Sequence, residues 1–333
     1  MSRKPVSGAP SRSAQFLAGA LLALTGLVSA ADRPAYPAKP IRFIVTFAAG
    51  GGTDIFARAI AQKFTETWSQ PVIVDNRAGG NGNIGTDIVA KAPADGYTLL
   101  LTTNATIVIN PHLTKLPYDP VRDLAPVSQV ATLPFVLVAH PSLPARSVAE
   151  LIALARTRPG QLNFGSSGGG GGAHLSGEMM KTMAGINMTH VPYKGAAPAL
   201  VALLSGEVQF MFVSILTVTP LIESGKVRPL AVTSGKRSPS LPNVPAVAET
   251  PGLAGFETDL WYGMLAPAKT SLKIVDQLYE ETRRVLALQE FKNRFEPTGT
   301  VMTGSSPQAF ANTIKSDLVK WAGVIKSSGA KMD

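Results

Sequence analysis

The sequence predicts an α/β protein of two similar lobes, on three observations. Short apolar segments alternate with helical patterns along most of the chain, the mark of mainly parallel sheets with helices on both faces. Two glycine-rich loops, Phe47–Asp54 and Phe164–His174, each join a strand to a helix. Two apolar extended segments ending near proline, Pro134–Ala139 and Trp261–Pro267, echo each other. Two α/β lobes crossed twice by the chain account for both pairs. A length of 333 residues suits two domains, and 45% apolar content is that of a globular chain.

The elements follow in order. Ile41–Phe47 reads as a buried strand, and Asp54–Ser69 places Phe56, Ile60, Phe64 and Trp68 on one helical face. Val72–Val74 is a strand, Ile84–Ala92 a short helix and Tyr97–Thr102 a strand. Ser147 and Glu150 form a capping box opening a helix to Arg156. Strands at Leu162–Phe164, Met188–Val191, Val208–Val213 and Arg228–Thr233 alternate with helices at Ala173–Ala184, Pro198–Ser205 and Val218–Ser224. Gly185 can terminate the first of these helices. Ser238–Pro251 is a proline-rich connection, and Ser271–Leu288 is helical. Ser306 and Pro307 open a last helix with Phe310, Ile314, Leu318, Trp321 and Ile325 on one face.

The first thirty residues read as an export signal. Arg3, Lys4 and Arg12 precede the apolar run Phe16–Val28 and the small residues Ser29, Ala30 and Ala31, with a cut expected after Ala30. The run is shorter than the ~20 residues of a spanning helix. Losing those three basic residues lowers the formal net charge from +9 to +6. With only 16% of residues charged, the excess is thinly spread and forms no nucleic-acid footprint. The absence of cysteine excludes disulfides, thiolate metal sites, a cysteine nucleophile and a lipidated N-terminal cysteine.

Gly50-Gly51-Gly52-Thr53-Asp54 either exposes amide N–H groups to an anion at a helix start or forms a tight turn capped by Thr53 or Asp54. The residues alone do not separate these readings. Gly165-Ser166-Ser167-Gly168-Gly169 has the spacing of a nucleophile elbow. However, the only later histidines are His174 and His190, and Glu178 is the only acid between them and Ser167, too close in sequence for separate strands to assemble a triad on Ser167. The five glycines Gly168–Gly172 suit an anion cradle better, with the serine hydroxyls as uncharged donors to carboxylate oxygens. Gly80-Asn81-Gly82-Asn83-Ile84-Gly85 matches a dinucleotide spacing but lies beyond an intervening segment, Asp75–Gly79, and lacks the later acidic partner. It reads as a turn, with no cofactor. The four histidines show no metal-ligand spacing, so no metal is expected. Asn104 and Thr106 follow a strand, where α/β proteins place ligand contacts or plain polar turns; Tyr193 and Lys194 also follow one.

Taken in order, a longer set of residues carries a resemblance. It runs through Tyr36-Pro37-x-Lys39-Pro40-Ile41, Phe47-x-x-Gly50-Gly51-x-x-Asp54, Asn76-Arg77 with Gly79–Gly85, and Asp95-Gly96-Tyr97-Thr98-Leu99. It continues through Asn110-Pro111, Tyr118-Asp119, Phe164-Gly165-Ser166, His174-Leu175 and His190-Val191-Pro192-Tyr193-Lys194-Gly195. Gly225-Lys226-Val227-Arg228-x-Leu230-Ala231-Val232 and Trp261-Tyr262-Gly263-x-x-Ala266-Pro267 complete it. The mature chain resembles the Bug-type solute receptors of tripartite tricarboxylate transporters.

The resemblance implies a two-lobed periplasmic binding protein of the Venus-flytrap type (type II), with a mainly parallel sheet in each lobe and a ligand in the cleft. The expected division is 1–30 as signal, 31–133 with 262–333 as the first lobe, and 134–261 as the second. It implies a small organic carboxylate held by backbone amides and hydroxyls. Carried over, the first lobe offers Ala48, Ala49, Gly51, Gly52, Thr53, Asp54, Asn104 and Thr106. The second offers Ser166, Ser167, Gly168, Tyr193, Lys194 and Ser214. The family commonly has Pro-Gly-Ala-Gly-Gly after the Asn-Arg pair, where this chain has Ala78-Gly79-Gly80-Asn81-Gly82. Expected partners are the ligand and membrane permease subunits of such a transporter, with a sensor kinase as the signalling alternative. A monomer is expected, with no nucleic acid and no enzymatic activity.

Overall fold

The structure, a computed structural model, describes residues 36–328 together with Met1, Ser2, Lys4 and Pro5. The export segment Phe16–Ala31 lies outside the described residues. From Lys39 onward the chain forms one compact unit.

The chain opens with β1 (Ile41–Val45), α1 (Gly52–Trp68), β2 (Val72–Asn76), α2 (Asn83–Ala90) and β3 (Thr98–Thr103). β1 pairs parallel with both β2 and β3. After two helical turns, Ala105–Ile109 and Asn110–His112, comes β4 (Leu124–Ala139). The second set is α3 (Val148–Thr157), β5 (Asn163–Ser166), α4 (Gly172–Ala184), β6 (Thr189–Pro192), α5 (Ala196–Ser205), β7 (Phe210–Ser214), α6 (Ile215–Glu223) and β8 (Arg228–Val232). β5 pairs parallel with β6 and β7. The chain then runs through β9 (Asp259–Pro267), α7 (Leu272–Ala287), α8 (Gln289–Phe295), β10 (Val301–Met302) and α9 (Pro307–Ser328).

Strand order is β2-β1-β3-β9-β4-β7-β5-β6, with β8 and β10 also pairing β4. This is the two-lobed α/β architecture read from the sequence, with one correction to its interior. β4, β8, β9 and β10 pair antiparallel, so each lobe's sheet is mixed where mainly parallel pairing was expected. Strands that pass directly between lobes need no crossover helix, and antiparallel pairing accommodates them. β4 is also far longer than its legible part, Pro134–Ala139. Its first half contains Pro126, Ser128 and Gln129, and the register with β9 shifts at Pro126/Ser128 and again at Gln129/Ala131. A proline cannot donate to the ladder, and bulges break the two-residue alternation a strand is read by.

The cores follow the predicted faces. Phe56, Ile60 and Phe64 of α1 are fully buried, and Phe64 leans on the half-buried Trp68 at 4.5 Å between ring centroids. Phe310, Ile314 and Trp321 of α9 pack with Ile44, Leu100 and Leu265 of the first sheet. Burying one such side chain contributes roughly 1.5–3 kcal/mol. Ser147 caps α3 as read, accepting from the Glu150 N–H at 3.2 Å, and Gly185 ends α4 with a left-handed φ of 60°. The dinucleotide-like glycines serve packing. A side chain at Gly82 would collide with Thr106 and Thr46, and one at Gly85 with the Arg77 carbonyl, because α2 lies flat on β1.

Four helices start earlier than their residue propensities suggest: α1 at Gly52, α4 at Gly172, α5 at Ala196 and α6 at Ile215. Glycine is a poor helix former, so the first turns of α1 and α4 carry little signal in sequence, and α6 opens on Ile215-Leu216-Thr217-Val218, a run rich in β-branched residues that reads as strand. They matter because all four point into one cleft.

Candidate functional site

The cleft lies between the strand ends of the two sheets. Its wall contains Gly51, Gly52 and Thr53 at the start of α1, and Gly171, Gly172 and Ala173 at the start of α4. Ala196 at the start of α5, Ser214 and Thr217 at the start of α6, and Ser167 complete the polar side. The N-cap residues Gly51, Gly171, Gly195 and Ser214 make no side-chain capping hydrogen bond. First-turn N–H groups lack helical acceptors, and each helix carries about half a positive charge at this end.

The remaining wall is apolar: Phe47, Ala105, Phe135, Met211, Phe212, Val213 and Leu260, with Thr103 and Tyr262. No charged side chain lines it. The space open to the centres of water-sized groups is about 50 Å³.

Tyr262 organises the polar corner. It is 1% exposed, with its ring against Phe56 at 5.7 Å and its hydroxyl 3.4 Å from Ser214 Oγ. Burial pushes its pKa well above the ordinary tyrosine value, against bonds with Ser214 and Thr53 that lower it, so the hydroxyl stays protonated. The Thr217 hydroxyl oxygen beside it is buried and has no protein partner. Buried hydroxyls are nearly always bonded, so an unpartnered one in a cavity wall marks a ligand-facing donor.

Of the residues singled out from sequence, the structure brings Gly51, Gly52, Thr53, Ser167 and Ser214 into the wall. The others lie outside it, each for a physical reason. Ala48 and Ala49 form the rim, where Ala48 lies so close to Gly195 that a Cβ there would approach it at 3.1 Å. Asp54 is buried and folds the loop: it accepts from the Gly50 N–H at 2.9 Å, Arg58 Nε at 3.0 Å and Asn76 Nδ2 at 3.0 Å. Burial opposes its ionisation, but those three donors outweigh it and hold the carboxyl below its ordinary pKa. Asn104 Nδ2 donates to the Asp259 carbonyl at 2.9 Å and ties β3 to β9, while Thr106 accepts from Thr102 at 2.9 Å beneath α2. Ser166 Oγ bonds the Gly168 carbonyl and His190 Nε2, which shapes the glycine loop from behind, and Gly168 faces Asn81. Tyr193 donates to Glu207 at 2.7 Å near the surface, and Lys194 is exposed.

Sequence reasoning missed Thr103, Thr217 and the apolar wall, and took Tyr262 only as part of the Trp261-Tyr262-Gly263 motif. A tyrosine on a strand crossing between lobes was the one available signal. Nor is a triad assembled on Ser167. His190 engages Ser166, and His174 Nδ1 accepts the Gly170 N–H at 2.8 Å while its ring stacks on His190 at 3.8 Å. Among the described residues, no group of three or more His, Asp or Glu could hold a metal ion.

Residues 56–330 match the family described as "Tripartite tricarboxylate transporter family receptor". The chain belongs to that receptor family. BugT of Bordetella pertussis is 37% identical over 316 residues, covering 94% of this chain and 97% of the relative. A solved structure of Rhodopseudomonas palustris Rpa4515 with adipate is 38% identical with a TM-score of 0.86, over 89% of this chain and 99% of that one. MatC from the same organism, with bound malate, is 29% identical with a TM-score of 0.82, over 87% and 100%. The family is one of solute-binding receptors. The fold read from the residues is the fold these proteins share.

Proposed function

We propose that this receptor binds a small carboxylate in the cleft and delivers it to membrane permease subunits of a tripartite tricarboxylate transporter. The observation that carries this is a wall of four helix starts and hydroxyls, the unpartnered Thr217 among them, with no charged side chain. Such a wall neutralises a carboxylate by dipoles, and its apolar side accepts a carbon skeleton. The absence of an arginine clamp favours moderate, reversible binding, as a receptor that must release its cargo requires. Adipate in Rpa4515 and malate in MatC, both dicarboxylates, support a carboxylate ligand. The enclosed space favours a short acid, or one end of a longer acid whose far end reaches the rim.

Ligand contacts are assigned to Gly51, Gly52, Thr53, Ser167, Gly172, Ser214 and Thr217. The lobes divide where strand pairing changes. β4 pairs with β9 up to Pro134 and with β7 from Phe135, which supports a first crossing near there. β9 pairs with β3 and with β4 up to Pro134, which supports a second crossing near the start of β9. Residues 1–30 are assigned to export to the periplasm, and N-terminal sequencing of the secreted protein should read Ala31 first.

The test is a thermal-shift panel of mono-, di- and tricarboxylates with sugars and amines as controls. At 100-fold excess over Kd, the bound acid should stabilise by about 2.7 kcal/mol. Stabilisation by sugars or amines with none by carboxylates would refute the assignment. Crosslinking in membranes then decides delivery: capture of permease subunits supports transport, and capture of a sensor-kinase ectodomain alone overturns it.

A further inference from the structure

Asn81 stands on the loop before α2. It has a left-handed backbone, with φ 49° and ψ 41°, between Gly80 and Gly82, which also have positive φ. Asparagine tolerates this region better than most residues, but glycine adopts it without strain. Its side chain is fixed on one side, where Nδ2 donates to Asn110 Oδ1 at 2.8 Å. Asn110 is held in turn by donating to the Asn81 carbonyl and to Asn83 Oδ1, and the Tyr118 hydroxyl also donates to Asn83 Oδ1.

The other side of the amide faces the second lobe. Asn81 Oδ1 is buried without a hydrogen-bond partner. A Cβ built on Gly168 would lie 2.7 Å from it, and one on Gly171 3.3 Å from it. The loop amides nearest are already engaged: Gly168 N–H with Ser166 Oγ, Gly170 N–H with His174 Nδ1, and Gly171 N–H with the Gly168 carbonyl. What points at Oδ1 is therefore the Cα hydrogen of Gly168, a weak Cα–H···O contact that only glycine permits. Leu113 presses on the same loop at Gly170. The glycine run is thus shaped as much by the opposite lobe as by the ligand.

We propose that Asn81 is a positioning residue that grips the second lobe's glycine loop across the cleft and sets how long the ligand is held. The proposal rests on the carboxylate-receptor reading. Gripping favours the closed form, and raising the closed fraction raises apparent affinity in proportion. The contact is present without ligand, so it biases the empty protein toward closure and slows the opening that releases cargo. A rigid polar side chain, held by Asn110, does this better than the small-residue contact at Ala48 and Gly195.

Asn81→Gly is the test, because glycine suits the backbone and removes the grip. Stopped-flow binding of adipate and malate should show release about two- to fivefold faster, the effect of one lost Cα–H···O contact, with association no slower. The unliganded melting temperature should fall by no more than a few degrees, because relief of backbone strain and of the unpaired Asn81 oxygen offsets the lost Asn110 bond. Small-angle scattering of the unliganded variant should show a larger radius of gyration than wild type. Unchanged release and an unchanged radius would overturn the proposal. So would a lowered melting temperature with unchanged release, which marks a merely structural residue. If neither protein binds any carboxylate, the receptor reading fails, and the scattering comparison still decides the grip.

Discussion

Gly52→Ala should abolish carboxylate binding, with at least a hundredfold loss of affinity, and leave the protein folded. A Cβ at this position would lie 2.3 Å from the Tyr262 hydroxyl oxygen, 2.9 Å from Thr217 Oγ1 and 3.3 Å from Ser214 Oγ. The first two distances are shorter than real contacts allow, so something must move. Tyr262 has nowhere to go: it is 1% exposed and backed by Phe56, which itself packs on Phe291 at 5.4 Å and Phe295 at 4.8 Å. The start of α1 moves instead, carrying the Gly52 and Thr53 amides away from the ligand. Overpacking of this kind costs about 1–3 kcal/mol of stability, less than the 5–15 kcal/mol a domain has. Misplacing both amides and the Thr217 hydroxyl removes several hydrogen bonds to a charged group, at about 1.5–3 kcal/mol each. Calorimetry with the acid selected by the carboxylate panel, beside a thermal melt of the unliganded variant, reads both quantities. Wild-type affinity in a folded Gly52→Ala protein would remove the α1 start from the site.

The same corner shows what a sequence can and cannot disclose. The glycine loops, their strand-to-helix setting and the faces of α1 and α9 are local patterns, and they were legible. Ser214 and Thr217 reach the cleft because α6 begins directly at the end of β7, a start that the run Ile215-Leu216-Thr217-Val218 does not announce. Leu260 lines it because β9 pairs antiparallel with β4 there, opposite Leu133, and Phe135 lines it because β4 has by then passed to β7, opposite Ser214; both pairings join residues far apart in the chain. Tyr193 and Lys194 show the converse, a position that the chain order suggests for the cleft and the structure puts outside its wall. They follow a strand, as ligand contacts do, but β6 is the outer strand of its sheet, and Tyr193 turns to Glu207 at the surface. Position after a strand was readable, whereas position within the sheet order was not.

Asp54 separates the two readings that the sequence left open for the first glycine loop. Asp54→Ala should lower stability by about 2–3 kcal/mol, or roughly 5 °C in Tm, and weaken binding about tenfold. The stability figure follows from three donors losing one acceptor: the Gly50 N–H, Asn76 Nδ2 and Arg58. It is discounted because the Arg58 side chain is 53% exposed and water replaces part of that ion pair. The affinity loss follows because the Gly50 bond holds the turn that aims the Gly51 and Gly52 backbone at the cleft. The pH dependence has a fixed sign. The folded carboxyl titrates below its ordinary value of 3.8, so its stabilisation is fully present above that range. It is lost as pH falls from about 4 through the lower folded value. Wild type should therefore lose stability on acidification more steeply than Asp54→Ala, whose acid limb lacks this contribution. Asp54→Asn supplies the decisive contrast. If Asp54 only organises the loop, the neutral variant loses stability and affinity together, and by less than alanine, because its amide oxygen still accepts one bond. If Asp54 instead met the ligand, its charge would repel a carboxylate. Removing that charge would then tighten binding while the protein became less stable, and such a result would return Asp54 to the ligand's contacts.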